Sequence, residues 1–230
     1  MKSGTTTTAV VLGVILTGVI ATVKAEPKEK YPTPEYEVLA TISKDIEIRR
    51  YAPRIVAQVS VSGTGREGLN EGFRILAGYI FGNNNRRGTG EIKAPGRGER
   101  EKIAMTAPVT AQSATIPMTS PVTASGTRTG LTVSFFMPPS YSLATLPVPT
   151  DRRIKLIELP EEQFAVIRFS GGWNASNFDK HAQCLLDRLD RENIRTAGSP
   201  VNAYYNPPFT LPFLRRNEVL VPIAEGALPG

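Results

Sequence analysis

Between Ile46 and Val61 apolar and polar side chains alternate with a period of two. The runs Ile46–Tyr51 and Ile55–Val61 therefore predict two strands, joined by a turn at Ala52-Pro53. Gly63 and Gly65 interrupt the alternation, and a helical period takes over from Glu67 to Phe81. With Leu69 as origin, Phe73, Leu76 and Ile80 fall within about 40° of it and are expected to face a core. The same order returns downstream: a strand over Ile154–Leu159, a turn at Pro160-Glu161-Glu162, a strand over Phe164–Phe169, the breaker Gly171-Gly172, and a helix over Ala175–Glu192. The apolar face of that helix is Phe178, Ala182, Leu185, Leu186 and Leu189. Laid without gaps at an offset of 108 residues, Glu47–Gly63 and Lys155–Gly171 agree in apolar phase at most strand positions, and Ala57/Ala165, Ser62/Ser170 and Gly63/Gly171 coincide. Further strands are expected at Ile103–Val109, Ile116–Val122, Leu131–Met137 and Val219–Ile223. Strand, strand, helix, strand, twice over, predicts an α+β domain with a pseudo-twofold internal repeat. A closed or nearly closed antiparallel β-barrel with two flanking helices removes the sheet edges.

The first 25 residues change the compartment. Lys2 precedes an uncharged stretch from Ser3 to Val23, with its apolar run from Ala9, and Val23-Lys24-Ala25 precedes a charged segment. This order fits a signal peptide cleaved after Ala25, or an uncleaved membrane anchor, since the uncharged stretch reaches the ~20 residues that a span needs. Either implies an exported protein, periplasmic or extracellular, or anchored and facing outside the cytoplasm. Residues 26–35 are then a linker, 36–223 the folded domain and 224–230 a tail. Lys+Arg 27 against Asp+Glu 21 makes the chain +6. Removal of Lys2 and Lys24 would lower that to +4. No basic stripe interleaved with aromatics accompanies the charge, so nucleic acid is not the expected partner. The Gly-rich, basic segment Gly82–Lys102 has no period and is expected to be a loop.

Catalytic constellations are few. Cys184 is the only cysteine and His181 the only histidine. This excludes an internal disulfide, a Cys-based zinc site and an iron–sulfur centre. His181 falls at the margin of the second helix's apolar face and Cys184 falls off it, so they form no obvious dyad. A free thiol in an exported protein is expected to be buried and inert. No phosphate loop and no carboxylate pair in distinct surroundings is present. A binding protein, not an enzyme, is the expectation.

Two stretches carry a family resemblance. One is Lys102-Ile-Ala-Met-Thr-Ala-Pro-Val-Thr-Ala111, echoed by Thr115-Ile-Pro-Met-Thr-Ser-Pro-Val-Thr-Ala124; within it Ile103–Gln112 and Ile116–Ser125 agree at seven of ten positions. The other is Tyr205–Ile223, with its Asn-Pro-Pro and Pro-Phe-Leu-Arg-Arg-Asn-Glu runs. With Ser134–Pro138 and Phe169-Ser-Gly-Gly-Trp173, the chain resembles the SOUL family of haem-binding proteins from about Tyr36 to Ile223. The resemblance implies a distorted antiparallel β-barrel with two helices. It also implies non-covalent binding of haem or related tetrapyrroles, without established catalysis.

The resemblance places the ligand against the first helix and the loop before the last strand. A vertebrate member presents Arg, Met and Lys on that helix; the matching positions here are Asn70, Phe73 and Gly78, and the family's loop Lys falls on Leu211. The ligand-side cations are thus absent from their family positions. A second arc of the helix supplies substitutes: Arg66 and Arg74 for propionates, with Ala77 and Phe81 as apolar contact. Phe209, Leu211 and Phe213 would close the other side, while Arg215–Glu218 is expected to be a structural hydrogen-bonding cluster. Candidate iron ligands are His181, Met105 and Met118, each better explained by packing. A pocket holding the macrocycle by its faces and propionates would accept metal-free porphyrins too. Two alternatives stay open: a pocket for other planar or hydrophobic ligands, and an envelope module that binds another protein. Oligomeric state has no signature.

Overall fold

The computed structural model describes residues 31–87, 100–116, 128–224 and 226–227. The chain order is β1 Tyr36–Ser43, β2 Ile46–Tyr51, β3 Arg54–Val61, α1 Gly65–Ile80, β4 Asn84–Asn85, β5 Val109–Ile116, β6 Arg128–Phe136, β7 Val148–Pro149, β8 Lys155–Leu159, β9 Glu162–Phe169, α2 Ala175–Arg191, β10 Val201–Tyr204 and β11 Asn217–Pro222. Nine strands make one antiparallel sheet in the order β1-β2-β9-β11-β10-β5-β6-β3-β8, and β4 pairs with β7 apart from it.

Chain connectivity forces this sheet to curl. β2 and β3 are second and eighth in the order, yet only Ala52 and Pro53 separate them. Two residues span under about 11 Å, so the sheet bends until its ends meet. Pro160 and Glu161 make the same short link between β8 and β9. At this seam Arg54 Nη2 donates to Glu162 Oε2 at 2.8 Å. The molecule is an α+β distorted barrel flanked by two helices, as the sequence predicts. Exchanging β2, β3, β5 and β6 with β8, β9, β10 and β11 returns the order β2-β9-β11-β10-β5-β6-β3-β8 reversed. That palindrome is a property of the pairing order alone.

The period-two pattern decides which side of each strand meets a helix. Ala165, Ile167, Val219 and Val221 pack under Phe178, Leu185 and Leu189 of α2. The intervening Phe164, Val166 and Leu220 face the other way, against Tyr51 and Tyr205. Under α1, Leu76, Tyr79 and Ile80 cover Val59, Val133 and Phe135. Among the described residues, no helix is long and apolar enough to cross a membrane.

Several expectations need correction. The buried positions of α1 are Gly68, Gly72, Leu76, Tyr79 and Ile80, whose mean direction lies about 50° from Leu69 on the side away from Phe73. Glycine draws the helix onto the sheet: a Cβ at Gly72 would stand 2.5 Å from Val133 Cγ2. Leu69 and Phe73 are left half-buried at the helix edge. Ile103–Pro108 is not a strand; β5 begins at Val109. Cys184 is exposed, not buried, because it lies off the apolar arc of α2. The first part of the Gly82–Lys102 segment is tied down by Asn84, whose side-chain amide donates to Tyr79 O at 2.7 Å and Glu101 O at 2.8 Å and accepts from Glu101 N at 3.0 Å. A buried Asn that stands in for ladder hydrogen bonds leaves no periodic signal. β1, β4, β7 and β10 are likewise unannounced by the hydropathy pattern. Residues 88–99 and 117–127, with Met118 and the second copy of the tandem element, lie outside the described residues, as do residues 1–30.

Candidate functional site

The half-buried edge of α1 becomes one wall of a cavity of about 260 Å³, through Leu69, Asn70 and Phe73. The opposite side is the segment Met105–Ala107 with Val109. That segment runs extended without joining the sheet: Ala107 N–H donates to Pro32 O at 2.9 Å, and the Thr106 hydroxyl donates to Phe136 O. Trp173, Tyr204 and Tyr205 form a third side, and Asn206–Phe209 the rim, with Tyr31 reaching in from the start of the domain.

These walls are fixed by their neighbours. Phe73 meets Phe135 edge-on at 5.3 Å. Trp173 is held three ways: its Nε1–H donates to Asn217 Oδ1 at 3.0 Å, its ring meets Tyr204 edge-on at 5.2 Å, and the Arg215 guanidinium lies 4.7 Å over it. The Arg-Arg-Asn-Glu run thus divides its work. Arg215 covers Trp173 and donates to Thr210 O and Pro208 O. Asn217 anchors Trp173 and donates to Gly171 O at 3.2 Å. Arg216 and Glu218 turn inward.

There Glu218 is fully buried. It accepts from Arg49 at 3.1 Å, from Arg216 at 2.8 and 3.0 Å, and from the Tyr205 hydroxyl at 2.6 Å. Arg49 also pairs with Glu47 at 2.7 Å. Two carboxylates face two guanidinium groups, so the cluster is neutral as a whole. Burial alone would raise the Glu218 pKa, but Arg49 and Arg216 outweigh it and hold the carboxyl below its ordinary range. Burial and the adjacent Glu218 push the Tyr205 hydroxyl well above the usual phenol value. Burial pushes Tyr204 up to about 12. Both phenols are therefore neutral near pH 7. The cluster is the structural network expected of Arg215–Glu218, and Arg216 additionally lines an adjoining recess of about 220 Å³ with Asn206 and Thr210.

The sequence-predicted site residues separate into groups. Phe73, Phe209 and Met105 line the cavity, as does Asn70. Arg66 and Arg74 are exposed and outside its lining, but stand four residues either side of Asn70, on one row of the helix surface. Arg74 also borders a polar recess of about 420 Å³ with Asp151 and Arg153. Ala77, Phe81, Leu211 and Phe213 lie outside the lining; Leu211 and Phe213 extend the rim into solvent. Gly78 faces the Asn83 side chain. His181 is elsewhere: its ring stacks on Phe169 at 3.8 Å, and its Nδ1–H donates to Asn177 O at 2.7 Å. Sequence reasoning missed Tyr31, Thr106, Trp173, Tyr204 and Tyr205 as lining. The Tyr204-Tyr205 pair and the lone Trp173 after the Gly171-Gly172 breaker were the available signals, but only the fold brings them opposite α1.

The lining suits the face of a flat apolar molecule: aromatic side chains surround it, and no charged side chain is among them. Its volume falls just below the range of about 300–1,000 Å³ of ordinary ligand pockets, so a macrocycle would enter by one edge and rest the remainder on the rim. Of the iron-ligating side-chain types, the lining offers the Met105 thioether and the three phenols of Tyr31, Tyr204 and Tyr205. Among the described residues, no group of three or more His, Cys, Asp or Glu could hold a bare metal ion.

No curated protein matches the chain. Among solved structures it is similar to the EcmrR C-terminal domain, at 9% identity over 82% of this chain and 98% of that one, with a TM-score of 0.51. EcmrR in its DNA complex is similar at 9% identity over 78% of this chain and 57% of that one, TM-score 0.53. An uncharacterized conserved protein from Listeria innocua gives 12% identity, 79% and 93% coverage and a TM-score of 0.50. At such identities these likenesses concern the fold alone. A family model described as SOUL heme-binding protein matches residues 31–222. That span includes both helices, the cavity and the Arg-Arg-Asn-Glu cluster, and the chain belongs to the SOUL haem-binding protein family.

Proposed function

We propose that the cleft between α1 and the Asn206–Phe209 rim binds haem or a related tetrapyrrole without a covalent bond, as an exported carrier or buffer and not as an enzyme. The observation that carries this is an uncharged, aromatic cavity at the place where the family resemblance puts its ligand. Burying a propionate in such a lining would cost several kcal/mol, so the apolar edge of the macrocycle goes in and the carboxylates stay at the mouth. Arg66 and Arg74, exposed one turn either side of Asn70, are assigned to the carboxylates there. Phe73 and Trp173 contact the macrocycle faces, and Met105 is the one thioether placed to approach a bound iron. Iron in the macrocycle would supply one bond to a side chain such as the Met105 thioether; contact with the faces does not depend on it. Metal-free porphyrins and other planar apolar molecules fit the same chemistry, since no His lines the cavity.

The test is a titration with haemin, protoporphyrin and a planar cationic dye, following the Soret band and the emission of Trp173, the sole tryptophan. Haemin and protoporphyrin are expected to bind within about tenfold of each other and to quench Trp173. Arg66→Ala or Arg74→Ala is expected to weaken both by about tenfold, the low end for an exposed charge-assisted pair. His181→Ala changes neither. Haemin binding that vanishes in His181→Ala, with both arginine variants normal, would overturn the proposal; dye binding without porphyrin binding would favour the broader planar-ligand pocket.

A further inference from the structure

Seven large apolar side chains are exposed among the described residues, and four of them sit within six positions of one loop: Phe209 at 81%, Leu211 at 55%, Phe213 at 70% and Leu214 at 64%. This is not a frayed segment. Thr210 N–H donates to Pro207 O at 3.0 Å and Leu214 N–H to Leu211 O at 2.9 Å. The Arg215 guanidinium folds back onto Thr210 O and Pro208 O, and Gly171 N–H donates to Pro212 O at 2.9 Å. Three prolines further restrict the backbone. The loop is ordered with its apolar side chains held outward, and from Asn206 to Leu214 it carries no charge.

We propose that this loop is a membrane-insertion wedge that sets the mouth of the cleft against a lipid bilayer. Attachment at a bilayer interface scales with the apolar area buried there, and four large apolar side chains stand out together on this preformed loop. A stable protein interface needs roughly 800 Å² per partner, more than one six-residue tip presents. Chain geometry points the same way. Tyr31 lines the same cavity as Phe209, and only residues 24–30 separate it from the uncharged stretch Ser3–Val23. Eight residue steps reach at most about 30 Å. A bilayer that holds residues 3–23 therefore keeps the loop within reach and raises its effective concentration there. An apolar ligand would pass between lipid and cleft across Phe209. The wedge is independent of which ligand fills the cleft.

The test uses the full chain without ligand. An environment-sensitive dye is attached at Leu214→Cys in a Cys184→Ser background, and in a control at native Cys184, which is exposed on α2. On phosphatidylcholine vesicles, with or without phosphatidylglycerol, the dye at 214 is expected to shift to the blue and the dye at 184 to remain water-like. Combining Phe209→Ser, Leu211→Ser and Phe213→Ser should raise the lipid concentration for half-maximal shift at least about tenfold. Far-UV circular dichroism checks that this variant is folded; if it is not, the single variants replace it. A chain that binds vesicles while the dye at 214 stays water-like, its attachment resting on residues 3–23 alone, overturns the wedge. So does a concentration-dependent shift at 214 without lipid, which would assign the loop to protein self-association.

Discussion

Glu218 concentrates the electrostatics of the molecule in one side chain. Its carboxylate accepts from Arg216, Arg49 and the Tyr205 hydroxyl inside the barrel, and with Glu47 it balances the two guanidinium charges. Removing it leaves buried guanidinium charge uncompensated, so Glu218→Ala is expected to cost about 3–5 kcal/mol in urea unfolding. Glu218 also gives stability a pH dependence of definite sign. Its folded-state pKa lies below the ordinary 4.5, so the stabilisation is complete above that value and is lost as pH falls through the lower, folded-state value. Unfolding midpoints measured between pH 7 and pH 3 should be flat near neutrality and decline below about pH 4.5. Glu218→Gln, lower in stability throughout, should show a shallower acid decline. An equally steep decline in that variant would assign the acid sensitivity to other carboxylates.

At the scale of elements, the seat of α1 decides the shape of the cleft. Gly72 lets the helix sit so close over β6 that a Cβ there would stand 2.5 Å from Val133 Cγ2, and this seat leaves Leu69 and Phe73 at the edge, where they line the cavity. A methyl group at Gly72 has no room. Gly72→Ala gains helix propensity of about 1 kcal/mol but must displace the helix or the β6 side chain. Overpacking of this kind typically costs about 1–3 kcal/mol. The expected net effect is a loss of about 1–2 kcal/mol in chemical denaturation, together with a changed Trp173 emission on ligand addition, since the wall opposite Trp173 moves. Unchanged stability in Gly72→Ala would mean that the helix shifts freely on the sheet. α2 shows the converse case: its Asn174 cap accepts from Asn177 N at 2.8 Å, and its apolar arc is filled by side chains rather than by close backbone approach. Its predicted bounds and face therefore agree with the observed helix.

At the scale of the whole molecule, two-residue links tie positions two and eight, and three and nine, of the sheet order. The two halves of the sheet are joined along both seams and in the middle, because β2 pairs with β9, β3 with β8 and β5 with β10. The domain is therefore expected to unfold in one cooperative step. Trp173 fluorescence, which reports the cleft, and far-UV circular dichroism, which reports the sheet, should give coincident transitions. Transitions separated beyond experimental error would show that one half of the sheet survives without the other.

The sequence by itself determined whatever depends on periodicity: the strands β2, β3, β8 and β9, both helices, their order and the α+β class. These are local patterns, and burial of one face enforces them. It also marked the Arg-Arg-Asn-Glu run as a hydrogen-bonding cluster, since four consecutive polar residues before a last apolar strand need partners. Tertiary structure alone decided the rest. Gly72 carries no hydropathy, so the rotation of α1 becomes visible only against Val133. Met105–Ala107 has a strand-like composition, but its hydrogen bonds go to Pro32 and Phe136 instead of a ladder. Tyr31, Trp173 and Tyr205, distant along the chain, share a cavity because the curl of the sheet brings the domain's first residues and the loop before β11 to the edge of α1. A binding surface assembled from such distant segments is set by the closure of the barrel, and closure is a property of pairing that no single segment encodes.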